Sequence, residues 1–244
     1  MTLDGSNSYV LTAPHATGVV VVAPGPLLES HLGELAASGA VELILITHRH
    51  ADHTGGSARL HQLTGAPVRA AQAEFCHRGA TLDDGELINA GGLTLEVLAT
   101  PGHTSDSLCF AVQSPDSTVI SGTVMLTGDT ILGVGSTVLD YPDGTLTDYL
   151  QSLSALERWA AARPDPVMVL PGHGPVLADL TAAAQACRTH RAERLAQVRA
   201  AVERLSAAGK PTARQVAAVV YGDLPAQLQA AALLSVQAQL DYLP

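Results

Sequence analysis

The segment THRHADHTGG, from Thr47 to Gly56, places three histidines and an aspartate within six positions: His48, His50, Asp52 and His53. Imidazole and carboxylate together suit a borderline divalent ion such as zinc, manganese or iron. A spacing of two puts His48 and His50 on one side of an extended segment. The loop that follows can fold Asp52 and His53 back toward the same pocket. Four ligand-type side chains this close crowd a single ion, so the cluster fits two. Solvated histidines on a polar loop usually occur singly. Four directly behind the apolar run ELILI (42–46) argue for a metal site.

Two adjacent ions need more ligands than one loop provides, and three candidates lie elsewhere. TPGHTSDS places His103 after the alternating LTLEVLAT. TGDTIL places Asp129 after the apolar run from Val124 to Leu126. PGHGP places His173 after VMVL. Each follows an apolar strand and a glycine, and strand termini are where α/β sheets collect their sites. His15, His31, His61, His77 and His190 lack that setting and read as surface or structural residues.

The elements that must position these groups are legible from periodicity. SYVLTA, GVVVVA, ELILIT, LTLEVLAT, SLCFAV, STVISG and VMVLPG read as strands. LLESHLGELAAS and GSARLHQLTG fit helices, and a longer helix begins at Thr145, with Asp148 three residues on as a capping signal. From Thr181 onward the pattern is almost purely helical. Strands mixed with helices, then helices alone, predict a body over residues 1–177 and a small helical domain over 178–244.

Composition bounds the function. The 244 residues, 47% of them apolar, suffice for one large domain with an appendage. No window of ~18 apolar residues could span a membrane, and the start MTLDGSNSYV lacks the features of a secretory signal. Cys76, Cys109 and Cys187 are widely spaced and odd in number, which reads as free thiols in a reducing compartment. A cytoplasmic protein with no membrane partner is expected. The net charge of −10 opposes wholesale polyanion binding, although seven of the 13 basic residues lie after residue 185.

With these residues in view, HRHADH matches the His-x-His-x-Asp-His signature of the metallo-β-lactamase superfamily, and the chain resembles that family over about residues 5–175. The resemblance implies an α+β fold, a four-layer αββα sandwich with the site at one edge of two sheets. It implies His48, His50 and His103 on one ion, Asp52, His53 and His173 on the other, and Asp129 bridging both. Two divalent ions, zinc ahead of manganese or iron, would sit about 3.5–4 Å apart and turn a bridging water into hydroxide near neutral pH. Asp52 would ligate its ion and also orient or deprotonate that nucleophile. A bridging aspartate is typical of the superfamily's thioesterases, phosphodiesterases and ribonucleases, and β-lactamases generally lack it. One departure stands out: the family's usual second-strand aspartate, which supports the ligand loop, is replaced here by Ala23.

GDTILGVGSTVLDYPDGTLTDYLQSL, LPGHGPVL and HRAERLAQV resemble the subgroup of β-lactamase-like endoribonucleases and their bacterial relatives, some of them called glyoxalase-like. That subgroup carries a C-terminal winged-helix-like domain, here truncated to helices. The resemblance implies a metal-dependent phosphodiesterase on single-stranded RNA. Arg188, Arg191, Arg194 and Arg199 would form a phosphate-contacting stripe, although arginines at that spacing usually form the wet face of an amphipathic helix. The alternative is a glyoxalase II-like hydrolase of small esters or thioesters. A third reading is a mononuclear iron persulfide dioxygenase using only His48, His103 and Asp129. A non-enzymatic scaffold is disfavoured, because degenerate members lose ligands and all seven are present. The tail LPAQLQAAALLSVQAQL, with Leu224, Leu228, Leu233 and Leu240, would pack on the body or form a homodimer interface.

Overall fold

The computed structural model of the chain describes residues 5–113, 123–222 and 225–244. The segment STVISG and Leu224 lie outside the described residues. Strands β1 (Tyr9–Leu11), β2 (Gly18–Val22), β3 (Ala40–Leu45) and β4 (Val68–Arg69) form one sheet in the order β1-β2-β3-β4. Strands β5 (Leu87–Ala90), β6 (Leu93–Ala99), β7 (Leu108–Gln113), β8 (Val124–Gly128) and β9 (Met168–Pro171) form the second, also in chain order. The second sheet is antiparallel except where β9 runs parallel to β8.

Alternation along the strands explains the layering. Val20 and Val22 face the second sheet and pack in one core with Leu45, Leu95, Phe110 and Leu126. Val21, between them, faces outward with Ile44 and Ile46, against Leu32 and Leu60. Period-two side-chain direction thus sends one strand into two cores. Leu32 belongs to α1 (Glu29–Ala37); after the one-turn α2 (Ala51–Thr54), α3 (Ser57–Thr64) contributes Leu60. On the far side, Cys109, Met125 and Val169 of the second sheet meet Leu153 and Leu156 of α4 (Leu146–Ala161) and Leu180 and Ala184 of α5 (Leu180–Leu205). The order is helix, sheet, sheet, helix. As the sequence implied, Thr145 caps α4: its hydroxyl accepts from the Asp148 N–H.

The first half of α5 packs on the body, and its second half gathers a separate cluster. There Val198 and Ala201 meet Val216 of α6 (Ala213–Tyr221) and Val236 of α7 (Ala226–Tyr242). Ala238 of α7 reaches back into the α4–α5 core. Leu228 is exposed, while Leu240 packs within the chain.

The basic stripe on α5 is not a uniform wet face. Arg191 is buried, donates to the Thr137 carbonyl and lies over the Tyr149 ring. It cannot touch a phosphate, which corrects the expectation that it belongs to an exposed phosphate-binding stripe. Arg188 donates to Ser154 and faces Glu157, and Arg194 lies over Tyr221. Arg191→Ala is expected to destabilise the fold by about 2 kcal/mol, the loss of a hydrogen bond from a buried charge. A thermal melt should show a drop of roughly 4–8 °C. An unchanged melt would mean that the guanidinium contributes nothing there.

Candidate metal centre

All seven residues singled out from the sequence stand after the C-terminal end of a strand. β3 leads into His48–His53, β6 into His103, β8 into Asp129 and β9 into His173. His50 caps the N-terminus of α2, so Asp52 and His53 lie on a single helical turn and not on the loop expected. Two glycines let the loops converge. Gly128 has φ +49, which turns the chain from β8 into Asp129. A Cβ at Gly172 would fall inside contact distance of the Asp129 carboxylate and 2.9 Å from His53 Cε1.

The side chains form interlocking groups of donor atoms. In the first, His103 Nε2 and His48 Nε2 lie 3.0 Å and 3.2 Å from His50 Nδ1. In the second, His173 Nε2 lies 3.2 Å from His53 Nε2 and 3.3 Å from Asp52 Oδ2. Asp129 touches both: Oδ2 is 3.7 Å from His103 Nε2 and 3.3 Å from His173 Nε2, and Oδ1 is 3.4 Å from His53 Nε2. A tetrahedral ion bound by nitrogen at about 2.0–2.1 Å would separate neighbouring ligand atoms by about 3.3 Å. The observed spacings match that cage.

The opposite ring nitrogens say why these atoms converge as bare acceptors. His103 Nδ1 faces the Val138 carbonyl and the Thr137 hydroxyl, and His173 Nδ1 faces the Gly5 carbonyl. His50 Nε2 faces the Asp140 carboxylate at 3.3 Å, and His48 Nδ1 faces the Thr47 hydroxyl. A ring that donates its one proton outward presents a lone pair inward. Lone pairs of His103 and His50 held 3.0 Å apart repel unless a cation lies between them. The donor set therefore fits a divalent metal.

His53 is the exception, since its buried Nδ1 has no hydrogen-bond partner among the described residues. Ala23, where the resemblance implies an aspartate, has φ +50. Aspartate and asparagine enter that left-handed region several-fold more readily than alanine.

Burial shapes the electrostatics. It lowers the pKa of His48, with the neighbouring imidazoles adding to the effect. Burial also lowers His53 and His103, outweighing the nearby Asp129 carboxylate in both cases. For His173 burial acts downward too, but hydrogen bonds to Asp129 and Asp52 prevail and raise it to about 10. Asp129 lies below its ordinary value: burial raises it, and His173, His53 and His103 together lower it further.

A family profile of the metallo-beta-lactamase superfamily matches residues 1–173. The chain belongs to the metallo-beta-lactamase superfamily. Among similar proteins, a "Beta-lactamase-like protein 2 homolog" of Caenorhabditis elegans is 29% identical, the match spanning 99% of this chain and 79% of that protein. An "Atrochrysone carboxyl ACP thioesterase" of Aspergillus fumigatus is also 29% identical, over 93% of this chain and 72% of its own length. A solved metallo-beta-lactamase family protein of Thermus thermophilus shares the fold, with TM-score 0.73 and 24% identity, covering 97% of this chain and 87% of that one. As a superfamily member with clustered His and Asp donors, the chain is a metal-dependent hydrolase. Among the described residues, no helix is long and apolar enough to cross a membrane.

Two residues near the metallo-beta-lactamase centre escaped sequence reasoning. Asp140 accepts from Arg49 as well as facing His50, and Asp143 binds Arg49 at 3.1 Å and the Ser105 backbone N–H at 2.8 Å. Carboxylates behind a ligating imidazole typically change metal affinity 10–100-fold when removed. Asp140→Asn is expected to weaken metal binding by about that factor in a competition titration against a chromogenic chelator. Equal affinity in both proteins would remove Asp140 from the centre.

Proposed function

We propose that the chain hydrolyses acyl thioesters, with His48, His50 and His103 holding one divalent ion, Asp52, His53 and His173 a second, and Asp129 shared between them. Zinc is the foremost candidate metal, with manganese or iron as alternatives. The observation that carries this reading is the inward convergence of seven donor side chains, with the opposite ring nitrogens of His48, His50, His103 and His173 engaged in hydrogen bonds. When bound, such ions supply an activated water at neutral pH and polarise the substrate carbonyl.

The chain's own residues divide the remaining work. Asp129 is the more enclosed carboxylate, its side chain 11% exposed against 22% for Asp52. Asp52 accepts from the Ser6 hydroxyl at 3.1 Å, which fixes its orientation. It is the carboxylate able to reach an entering water and take its proton. As the water's oxygen bonds to the acyl carbon, the carbon–sulfur bond breaks, and Asp52 returns the proton to the departing thiolate. The products are a free acid and a thiol.

Thioesters are favoured over RNA on two grounds. Relatives matching almost the whole chain carry thioesterase names. Arg191, Arg188 and Arg194 are engaged within the chain. The test is a parallel assay of the metal-loaded protein on an acyl-N-acetylcysteamine thioester and on bis-p-nitrophenyl phosphate and single-stranded RNA. Hydrolysis of the thioester with inert phosphodiesters is the expected result. Cleavage of RNA with an inert thioester would overturn the proposal.

A further inference from the structure

Resting on the thioesterase reading, we infer that the groove between residues 131–136 and the first half of α5 binds the substrate's acyl chain, an apolar chain bearing a hydrogen-bonding oxygen. The groove is a cavity of about 530 Å³, within the usual range for small-molecule sites. One wall is a single helix face. Asp179, Ala182, Ala183, Ala186, Cys187 and His190 follow the i, i+3, i+4, i+7, i+8, i+11 spacing that places residues on one stripe. Its middle is built from alanines and a cysteine, whose short side chains leave the space open. The other wall is apolar, from Ile131, Leu132 and Val134, and Val134 is 72% exposed.

Two polar atoms break this lining. Ser136 Oγ and His190 Nδ1 are both buried, and neither has a hydrogen-bond partner among the described residues. A buried polar atom left unpaired costs about 1–3 kcal/mol, and a hydrogen-bonding group reaching either one from the groove would relieve that cost. Burial, and then the charges of Arg191 and Arg194, lower the pKa of His190, which keeps its ring neutral. A neutral imidazole and a hydroxyl suit an alcohol or ketone oxygen on an otherwise apolar chain.

None of the seven candidate ligands lines the groove, but its wall is continuous in the chain and hydrogen-bonded with the loops that carry them. Ile131 stands two residues after Asp129. Ser136 precedes Thr137 and Val138, which hold His103. The N–H of Gly133, another groove residue, donates to the His173 carbonyl at 2.9 Å. A chain lying here would lead its carbonyl end toward loops that carry three of the seven candidate ligands.

The test uses the metal-loaded full chain. Binding is read without catalysis, as displacement of dansyl-labelled undecanoic acid by decanoic acid and by its hydroxylated analogues. Activity is read as kcat/KM over acetyl to decanoyl N-acetylcysteamine thioesters. Wild-type protein should bind the probe, prefer a hydroxylated competitor, and show kcat/KM rising with chain length. Ala186→Phe fills the groove and should weaken probe binding by about tenfold or more, the worth of a few buried methylenes, and flatten the chain-length dependence. Ala182→Phe, one turn earlier on the same face, should do the same, with thermal melts confirming that both variants fold. Ser136→Ala with His190→Phe should abolish the preference for the hydroxylated acid.

Wild-type probe affinity in both phenylalanine variants would overturn the inference, as would a change in oligomeric state in place of a change in probe binding, which would mark the groove as a subunit contact. If the probe binds and is excluded as described but no thioester is hydrolysed, the acyl site stands and the thioesterase reading alone fails.

Discussion

Asp129→Ala is expected to lower kcat/KM for a thioester by about 10³-fold or more, exceeding the ~10²–10³-fold loss of one preorganised electrostatic contact. The reason is position. One oxygen of this carboxylate lies near His103 and His173 and the other near His53, so it faces nitrogens of both proposed ion sites. On the proposed assignment, its removal takes a ligand from both ions together. It also leaves His173 without the carboxylate that, alongside Asp52, raises its pKa. Asp129→Asn keeps the shape and removes the charge, and it should retain part of the metal and little of the activity. Wild-type rates within tenfold in the alanine variant would contradict a shared carboxylate.

The second large effect is on stability. On the proposed assignment, cations complete the cluster of five imidazoles and two carboxylates converging at one edge of the sandwich. Metal at 1,000 times its Kd adds about 4 kcal/mol, which for a chain of this size is a Tm rise of roughly 8–16 °C. Chelation should reverse that rise, and Asp129→Ala should show much less of it. The pH dependence of the metal-free chain has a definite sign. His48, His53 and His103 have folded pKa values below the unfolded value of about 6.5. Below that pH the unfolded chain takes up protons that these buried rings refuse, so stability falls. His173 acts oppositely: its contribution is fully present below about 6.5 and is lost as pH rises toward 10. Because His173 is protonated in both states below about 6.5, it adds no slope there, and the metal-free protein should melt progressively lower from about pH 6.5 downward. Metal affinity should weaken over the same range, since ligation requires neutral imidazoles. A melt that rises on acidification would contradict this assignment.

The sequence signals that succeeded were those set by local geometry. Alternation in GVVVVA sends Val20 and Val22 to one core and Val21 to another. A strand, a glycine and a ligand-type residue recur at His103, Asp129 and His173 because strand ends must turn tightly to bring side chains to one edge. The signals that failed depend on distant partners. Nothing in LDYPDGT marks Asp140 as the acceptor behind His50, since the two are 90 positions apart. Arginine at three-residue spacing looks like a wet face, yet Arg191 turns inward because the Thr137 carbonyl and Tyr149 ring await it. β4, only two residues long, offers too little periodicity to read. Likewise His190 carried no strand-end context, and only the folded chain shows its unpaired nitrogen in an apolar groove.

Metal content, titrated alongside thioester hydrolysis, tests the account at its root. Chelator-treated protein, given zinc or manganese in steps and separated from free ion, should take up two equivalents per chain and gain activity with them. Saturation at a single iron would point instead to the mononuclear set of His48, His103 and Asp129. Preparations that never hold more than trace metal, yet hydrolyse the thioester at full rate, would show that the seven converging side chains do not work by binding ions.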